Sequence, residues 1–321
     1  MNLTELKSAA DLVYRFMQPT PQYNWPLLST ALGVETFVKH ENHTPTGAFK
    51  VRGGSVYLDH LAKRSDRPAR LITATRGNHG QSIPFAERSF GIPVTVLVPE
   101  GNSSDKNAAM RASGADLEVF GADFDMARLE AERRAHLGLG EIVPSFHDHL
   151  ILGVGTYAYE LFTAVQDLDA VYVPIGMGSG ICALMRVRDL LGLPTRIIGV
   201  VSTAADAMAR AFQSGQPEPT ATARTVADGI ATRMPNPLAL NEIRAGAHHI
   251  VTVTDDEIAE AMRCLFRTTH QVAEGAGAAA CAALMQERAL WQGKKVGIVM
   301  TGGNIDPEVF ATVLSGSTPR I

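Results

Sequence analysis

Apolar residues arrive along this chain in short runs separated by longer amphipathic stretches. β-Branched runs of strand length stand at 71–75 (LITAT), 94–98 (VTVLV), 171–175 (VYVPI), 196–201 (RIIGVV) and 296–300 (VGIVM). Between them, segments such as 103–113, 125–137 and 256–269 carry the helical period. Strand and helix in alternation predict an α/β fold with parallel sheets covered by helices. Several of the runs are apolar throughout, as strands buried on both faces are. Their grouping into two clusters predicts two open, twisted sheets. The stretch SGQPEPTATART at 214–225 is the most loop-like and reads as a surface loop.

Composition narrows the function. The chain has 321 residues, 45% hydrophobic and 19% charged, with a formal net charge of −4. It lacks the basic face that nucleic acid requires. Its longest apolar stretches fall well short of the roughly 20 residues of a membrane span. The N-terminus MNLTELKSAADL has no apolar signal-peptide core. Three scattered cysteines, Cys182, Cys264 and Cys281, point to a reducing compartment, a cytoplasm, and no disulfide framework.

Four segments can carry chemistry. GMGSG at 176–180 follows a strand and precedes a helical stretch. Its glycines let backbone N–H groups converge on an anion at a helix N-terminus, which suits a phosphate; a simple strand–turn–helix connection reads the same way. TGAFKVRGG at 46–54 places Lys50 at the start of a helix, where depressed basicity would let it condense with an aldehyde cofactor. A surface lysine is the plain alternative, and Arg52, Gly53 and Gly54 carry no chemical argument of their own. TRGNHGQ at 75–81 is a polar turn at a strand's carboxyl end, where open α/β sheets bind ligands. MTGGN at 300–304 offers the Thr301 hydroxyl at another strand end. No metal-ligand spacing stands out, and the FHDH of His147, Asp148 and His149 is weak.

Singly weak, these segments are informative in order. TGAFKVRGG, TRGNHGQ, GMGSG, ADGIA at 227–231, EGAGAA at 274–279 and TGGN together resemble the fold-type II pyridoxal-phosphate enzymes, within them the threonine/serine dehydratase and serine racemase group. The resemblance implies a large cofactor-binding domain from residues 1–65 and 148–321, with a small mobile domain, 66–147, inserted in it. It implies that Lys50 carries the pyridoxal phosphate and moves protons at Cα. Phe49 packs against the ring, Asn78 bonds its phenolic oxygen, and Gly176, Met177, Gly178, Ser179 and Gly180 hold the phosphate. Thr301 faces the pyridine nitrogen. Thr75, Arg76, Gly77, Asn78 and His79 form the loop that grips the substrate carboxylate. The activity implied is elimination of water from a small β-hydroxy amino acid, giving a 2-oxo acid and ammonia. A homodimer is the family expectation. β-Replacement, as in cysteine synthases, is the alternative within enzymes; a non-catalytic pyridoxal-phosphate protein is the alternative outside them.

The chain departs from the group's pattern at three places. Arg76 stands where serine racemases have a serine base, so racemisation should be poor. It either binds a carboxylate or faces solvent. Val201 stands where the group's metal-binding acid falls, leaving only Asp206 and no expected metal site. Val154, in GVGT, replaces a polar residue and suggests a less polar pocket, open to a bulkier substrate such as 3-phenylserine. An inward Arg76 would instead favour 3-hydroxyaspartate. The chain's end at Ile321 suggests no regulatory domain and a catabolic role.

Overall fold

The computed structural model describes residues 1–320. Ten strands form two sheets: β1 (Gln22–Asn24), β2 (Glu35–His40), β3 (Leu71–Ala74), β4 (Val94–Val98), β5 (Asp116–Val119), β6 (Glu141–Ile142), β7 (Ala170–Pro174), β8 (Arg196–Ser202), β9 (His249–Val253) and β10 (Lys295–Met300). The α-helices are α1 (Leu3–Val13), α2 (Pro26–Leu32), α3 (Lys50–Ala62), α4 (Asn78–Phe90), α5 (Ser104–Ala112), α6 (Phe124–His136), α7 (Asp148–Ala164), α8 (Ser179–Leu190), α9 (Ala207–Ser214), α10 (Pro237–Gly246), α11 (Asp255–Thr269), α12 (Gly275–Glu287) and α13 (Pro307–Leu314).

The six-stranded sheet runs β1-β2-β10-β7-β8-β9, parallel except for β1. The four-stranded sheet runs β5-β4-β3-β6, all parallel. The α/β expectation with two sheets is met, and each of the five expected strands is present within a residue or two of its predicted place. Along β7, Ala170 and Tyr172 enter one core while Val171 and Val173 enter the other. Both faces are therefore covered, which is why this strand is apolar at every position. In the smaller sheet, Val94, Val96 and Val98 face one cluster, and Leu97 packs with Ala127 and Ala131 of α6 on the other side.

Helix α3 joins the two sheets and is held unusually close to its neighbours. A Cβ on Gly53 would stand 2.8 Å from the Leu150 carbonyl oxygen of α7, and one on Gly54 would stand 2.8 Å from the Ser82 oxygen of α4. Opposite, a Cβ on Gly153 would fall 2.2 Å from the Arg52 oxygen. Glycine inside a helix costs about 1 kcal/mol each, so close backbone approach is what these positions gain in return. Gly53 and Gly54 thus have a packing reason that the sequence alone did not give.

Arg52 likewise proves central. Its side chain is fully buried. Nε and Nη2 donate to the two oxygens of Glu41 at 2.7 and 3.0 Å, and Nη1 and Nη2 to those of Glu160 at 2.6 and 2.9 Å. Nη1 also reaches the Thr156 hydroxyl at 2.9 Å. Buried Lys39 donates to Glu160, to the Thr20 carbonyl and to Gln22 at 2.5, 2.7 and 3.0 Å. Two cations thus meet two carboxylates, tying α3 to β2, α7 and the segment before β1. Burial opposes the charge on Arg52, but Glu41 and Glu160 together hold its pKa above the ordinary value. Glu160 stays below its ordinary value despite burial, chiefly because of Arg52.

Removing Arg52 leaves Glu41 buried without a cationic partner and Glu160 with Lys39 alone. Arg52→Met should lower unfolding stability by about 3–5 kcal/mol, read from the urea midpoint. Glu160 would keep Lys39 but lose Arg52, the main partner that holds its carboxyl below the ordinary value against burial, and would bind a proton more readily in the folded variant than in the intact protein. The deficit should therefore be larger at about pH 8 than at about pH 5. An equal deficit at both would show that the loss is of packing and not of charge compensation.

Candidate active site

Lys50 is placed by the end of β10. An antiparallel bridge joins Ala48 to Gly302, and the Phe49 N–H donates to the Thr301 carbonyl at 3.1 Å. Gly47 makes the turn before it, at φ 67°, where a Cβ would stand 2.4 Å from Asn304 Oδ1. Lys50 becomes the first residue of α3, with Nζ 4.8 Å from the centre of the Phe49 ring. Phe49 in turn packs edge-on against Tyr157, ring centres 6.2 Å apart. Lys50 keeps a partial opening to solvent. Desolvation nevertheless lowers its pKa, against a weaker pull from Glu274. The side chain is an amine biased towards its neutral form, and not a surface lysine.

A chain of amides runs beside it. Asn304 Nδ2 donates to the Thr46 carbonyl and to Asn78 Oδ1, both at 2.8 Å, and Asn78 Nδ2 donates to Glu274 Oε1 at 2.7 Å. Glu274 is buried, at 3% exposure, and its Oε2 has no partner. Burial, then the nearby Asp228, raises its pKa to about 7 against Lys106, Asn78 and Lys50. His79 Nε2 is also buried without a partner. Desolvation and then Lys50 push its pKa down to about 3, so the imidazole stays neutral and is a weak base.

The loop from Thr75 to His79 leads from β3 into α4. The Gly77 N–H is held by the Thr75 hydroxyl at 3.1 Å. Lys106 of α5 passes this loop, its Cδ 3.4 Å from where a Gly77 Cβ would be, and pairs with Asp228 in ADGIA. Arg76 is exposed and takes no part in the amide chain.

GMGSG runs from the end of β7 into α8, with Gly178 at φ 103° as the N-cap. A Cβ on Gly176 would stand 2.6 Å from the Gly229 oxygen, and one on Gly178 would stand 2.7 Å from Ala239 Cβ. Gly180 lies beside Phe49 and Tyr157, and the Tyr157 hydroxyl donates to its carbonyl at 3.0 Å. Met177 lies 4.0 Å from the Thr232 hydroxyl through its sulfur, and Ser179, largely buried, opens the helix. Only glycine fits at 176 and 178, and the turn leaves backbone N–H groups at a helix N-terminus. Thr301 is buried at the end of β10. The residues present therefore fit pyridoxal phosphate: an amine of lowered basicity, an anion cradle, an anchored amide and an uncharged hydroxyl.

Thus Lys50, Phe49, Asn78, His79 and Thr301 are linked by direct bonds or by their mutual fields, while Arg76 stands apart. Val154 packs in the core, 3.3 Å from the Gly53 Cβ position, and Val201 is buried in β8. In FHDH, His147 caps α7 and His149 stacks on His60 of α3, ring centres 3.7 Å apart. Among the described residues no group of three or more His, Cys, Asp or Glu stands where it could hold a metal. The sequence reading missed Glu274, Lys106, Asp228 and Asn304. Three of these lie in quoted motifs, and an acid directly before a run of small residues, EGAGAA, was the available signal.

The family model described as pyridoxal-phosphate dependent enzyme matches residues 13–302. The chain is 32% identical to an L-threonine ammonia-lyase of Thermotoga maritima, over 98% of this chain and 78% of that one. It is 30% identical to an L-threo-3-hydroxyaspartate ammonia-lyase of Saccharomyces cerevisiae, over 97% and 96%. Among solved structures, the processed form of threonine deaminase isoform 2 from Solanum lycopersicum superposes with TM-score 0.89 at 25% identity, covering 98% of this chain and 94% of that one. The chain belongs to the pyridoxal-phosphate dependent enzymes of the threonine dehydratase type.

Proposed function

We propose that this enzyme eliminates water from a small β-hydroxy amino acid, threonine or serine first, to give a 2-oxo acid and ammonia. The observation that carries the reading is Lys50: an amine held towards neutrality by burial, at the head of a fixed helix, beside the Asn78–Glu274 pair. Bound pyridoxal phosphate supplies an electron-withdrawing ring joined to the substrate nitrogen, which makes the Cα–H acidic. Lys50 is the amine that would hold pyridoxal phosphate, and as a free amine of lowered basicity it would take the Cα proton. The Gly176–Gly180 loop, with Met177 and Ser179, binds the phosphate, and Phe49 packs on the ring. The loop Thr75, Arg76, Gly77, Asn78, His79 holds the substrate carboxylate through its backbone N–H groups. The Cα–H and Cβ–O bonds break and water leaves; water then replaces the nitrogen, releasing ammonia.

Thr301, buried at the end of β10, would offer the ring nitrogen a hydroxyl, which would not hold a proton there as a carboxylate would. The weaker electron sink favours prompt departure of the β-hydroxyl over transamination. Lys106 is the cation packed against the substrate loop, and Asp228 already neutralises it, which favours substrates with an uncharged side chain. The exposure of Arg76 points the same way. The unit that closes on the substrate is residues 66–147, against a large domain of 1–65 and 148–321. Side-chain links between the two units support this: Lys106 to Asp228, the Ser103 hydroxyl to Asp306 at 2.7 Å, Arg233 to Asp125 at 2.8 Å, and Asn78 to both Glu274 and Asn304. A homodimer in a reducing cytoplasm is the setting we propose; the three cysteines, all buried and free, fit it.

The purified, pyridoxal-phosphate-loaded protein should release 2-oxo acid from threonine or serine. Within a panel of L- and D-threonine, serine, 3-phenylserine and 3-hydroxyaspartate, those two should lead. Turnover only when sulfide is added would support β-replacement instead. Lys50→Ala should lower 2-oxo acid release by about 10²–10⁴-fold or more; undiminished activity would remove Lys50 from the mechanism. Arg76→Ser should raise racemisation relative to elimination of L-serine, measured by chiral chromatography, and an unchanged ratio would deprive position 76 of its assigned effect.

A further inference from the structure

Glu274 is a buried carboxylic acid beside Lys50 that the proposed reaction does not use. It occupies the N-cap position of α12 but does not cap its own helix. Its backbone N–H donates to the Gly302 carbonyl at 3.1 Å, and its carboxylate turns to Asn78. Gly302 makes room for it, and Gly229 lies in contact range. A Cβ on Gly302 would stand 2.7 Å from Oε1, and one on Gly229 3.7 Å. Burying a carboxylate with one oxygen unpartnered costs stability, so its presence calls for a reason in the site.

The reason lies in the Asn78 amide. Asn304 spends both Nδ2 hydrogens, one on Thr46 and one on Asn78 Oδ1. That fixes the oxygen of Asn78. Glu274 takes one of the two hydrogens on Asn78 Nδ2. One N–H remains, pointing along a direction set by bonds at both ends of the amide. We propose that Glu274 is a positioning residue that locks the Asn78 amide, so that its remaining N–H is presented to the phenolic oxygen of pyridoxal phosphate. This rests on the assignment of Asn78 under the proposed function.

The charges around Glu274 come from every side: Lys50 on α3, Lys106 on α5 and Asp228 on the ADGIA loop, with Asn78 donating from α4. With its pKa raised to about 7, Glu274 changes charge near neutrality. Above that value it is a carboxylate and draws the Asn78 N–H by a charge-assisted bond. Below it the carboxyl is neutral and the hold weakens. A residue with only a structural role would leave no such mark on the cofactor.

The test uses the holoenzyme and variants Glu274→Gln, Glu274→Ala, Asn78→Ala and the double alanine variant. Retention of pyridoxal phosphate and its visible absorbance are followed from about pH 5.5 to 8.5. Glu274→Ala should weaken cofactor affinity about tenfold, the worth of one good hydrogen bond, and shift the absorbance as Asn78→Ala does. The double variant should be no worse than the worse single. Glu274→Gln, which keeps an acceptor, should retain most of the affinity but lose the spectral transition near pH 7. Wild-type affinity and spectrum in Glu274→Ala, or effects that add in full, would overturn the proposal. If Glu274→Ala fails to fold, a persisting neutral-pH transition in Glu274→Gln overturns it and its loss supports it. A wild-type protein that binds the cofactor yet turns over none of the panel would sink the proposed activity and leave this inference standing.

Discussion

Everything in the site depends on how α3 is held. The helix carries Lys50 at its first residue and Arg52 two residues on. At about 100° per residue, two steps put these side chains on nearly opposite faces. Lys50 turns to Phe49 and Glu274, and Arg52 turns into the interior. There Glu41, Glu160, Lys39, Thr20 and Thr156 gather on or around it. Such a cluster holds position more than it adds stability, because each ion loses its hydration on burial. It is directional, drawing on β2, α7 and the segment before β1 at once. A slide or rotation of α3 would break several charge-assisted bonds together.

The cluster also keeps its charge to itself. Two cations and two carboxylates sum to zero, and the lowering at Lys50 comes from desolvation, opposed by Glu274, with no share from Arg52. An amine that must lose its proton readily can therefore sit two residues from a permanently charged guanidinium. The glycines that follow complete the arrangement. Gly53 and Gly54 let the backbones of α7 and α4 close on α3 at distances that any side chain would forbid.

This division explains what the sequence disclosed. Strands buried on both faces were legible because nothing polar interrupts them, as in VTVLV. β2 was not, because Lys39 and His40 in ETFVKH break the apolar run although both are fully buried. β5 and β6 are short, largely exposed pieces flanking β4 and β3, with little apolar pattern to show. In the site, Lys50 and GMGSG were weak signals taken locally, a lysine at a helix start and a glycine turn after a strand, and became legible through the order of the six segments. Glu274 and Lys106 were not, since their partners lie 196 and 122 residues away in the chain. Arg52 was dismissed for the same reason: a charge reads as a solvated face until its counter-charges are seen.

What the fold assembles around Lys50 is a site with few fixed charges. His79 is held neutral, Thr301 is an uncharged hydroxyl, Lys106 is matched by Asp228, and Lys50 and Glu274 are each displaced towards neutrality. A permanent cation or anion at any of these points would stabilise one charge distribution on the substrate throughout the reaction. Elimination needs the opposite, because negative charge appears at Cα and leaves with the β-hydroxyl. Glu274, its pKa raised to about 7, can exchange a proton near neutral pH, and burial lowers the basicity of Lys50, so both can follow that movement where desolvation, and not a fixed partner, dominates. The rigid ion cluster behind α3 and the loosely charged site in front of it are thus two parts of one arrangement: fixed charge holds the helix, and its absence from the other face leaves the proton free to move.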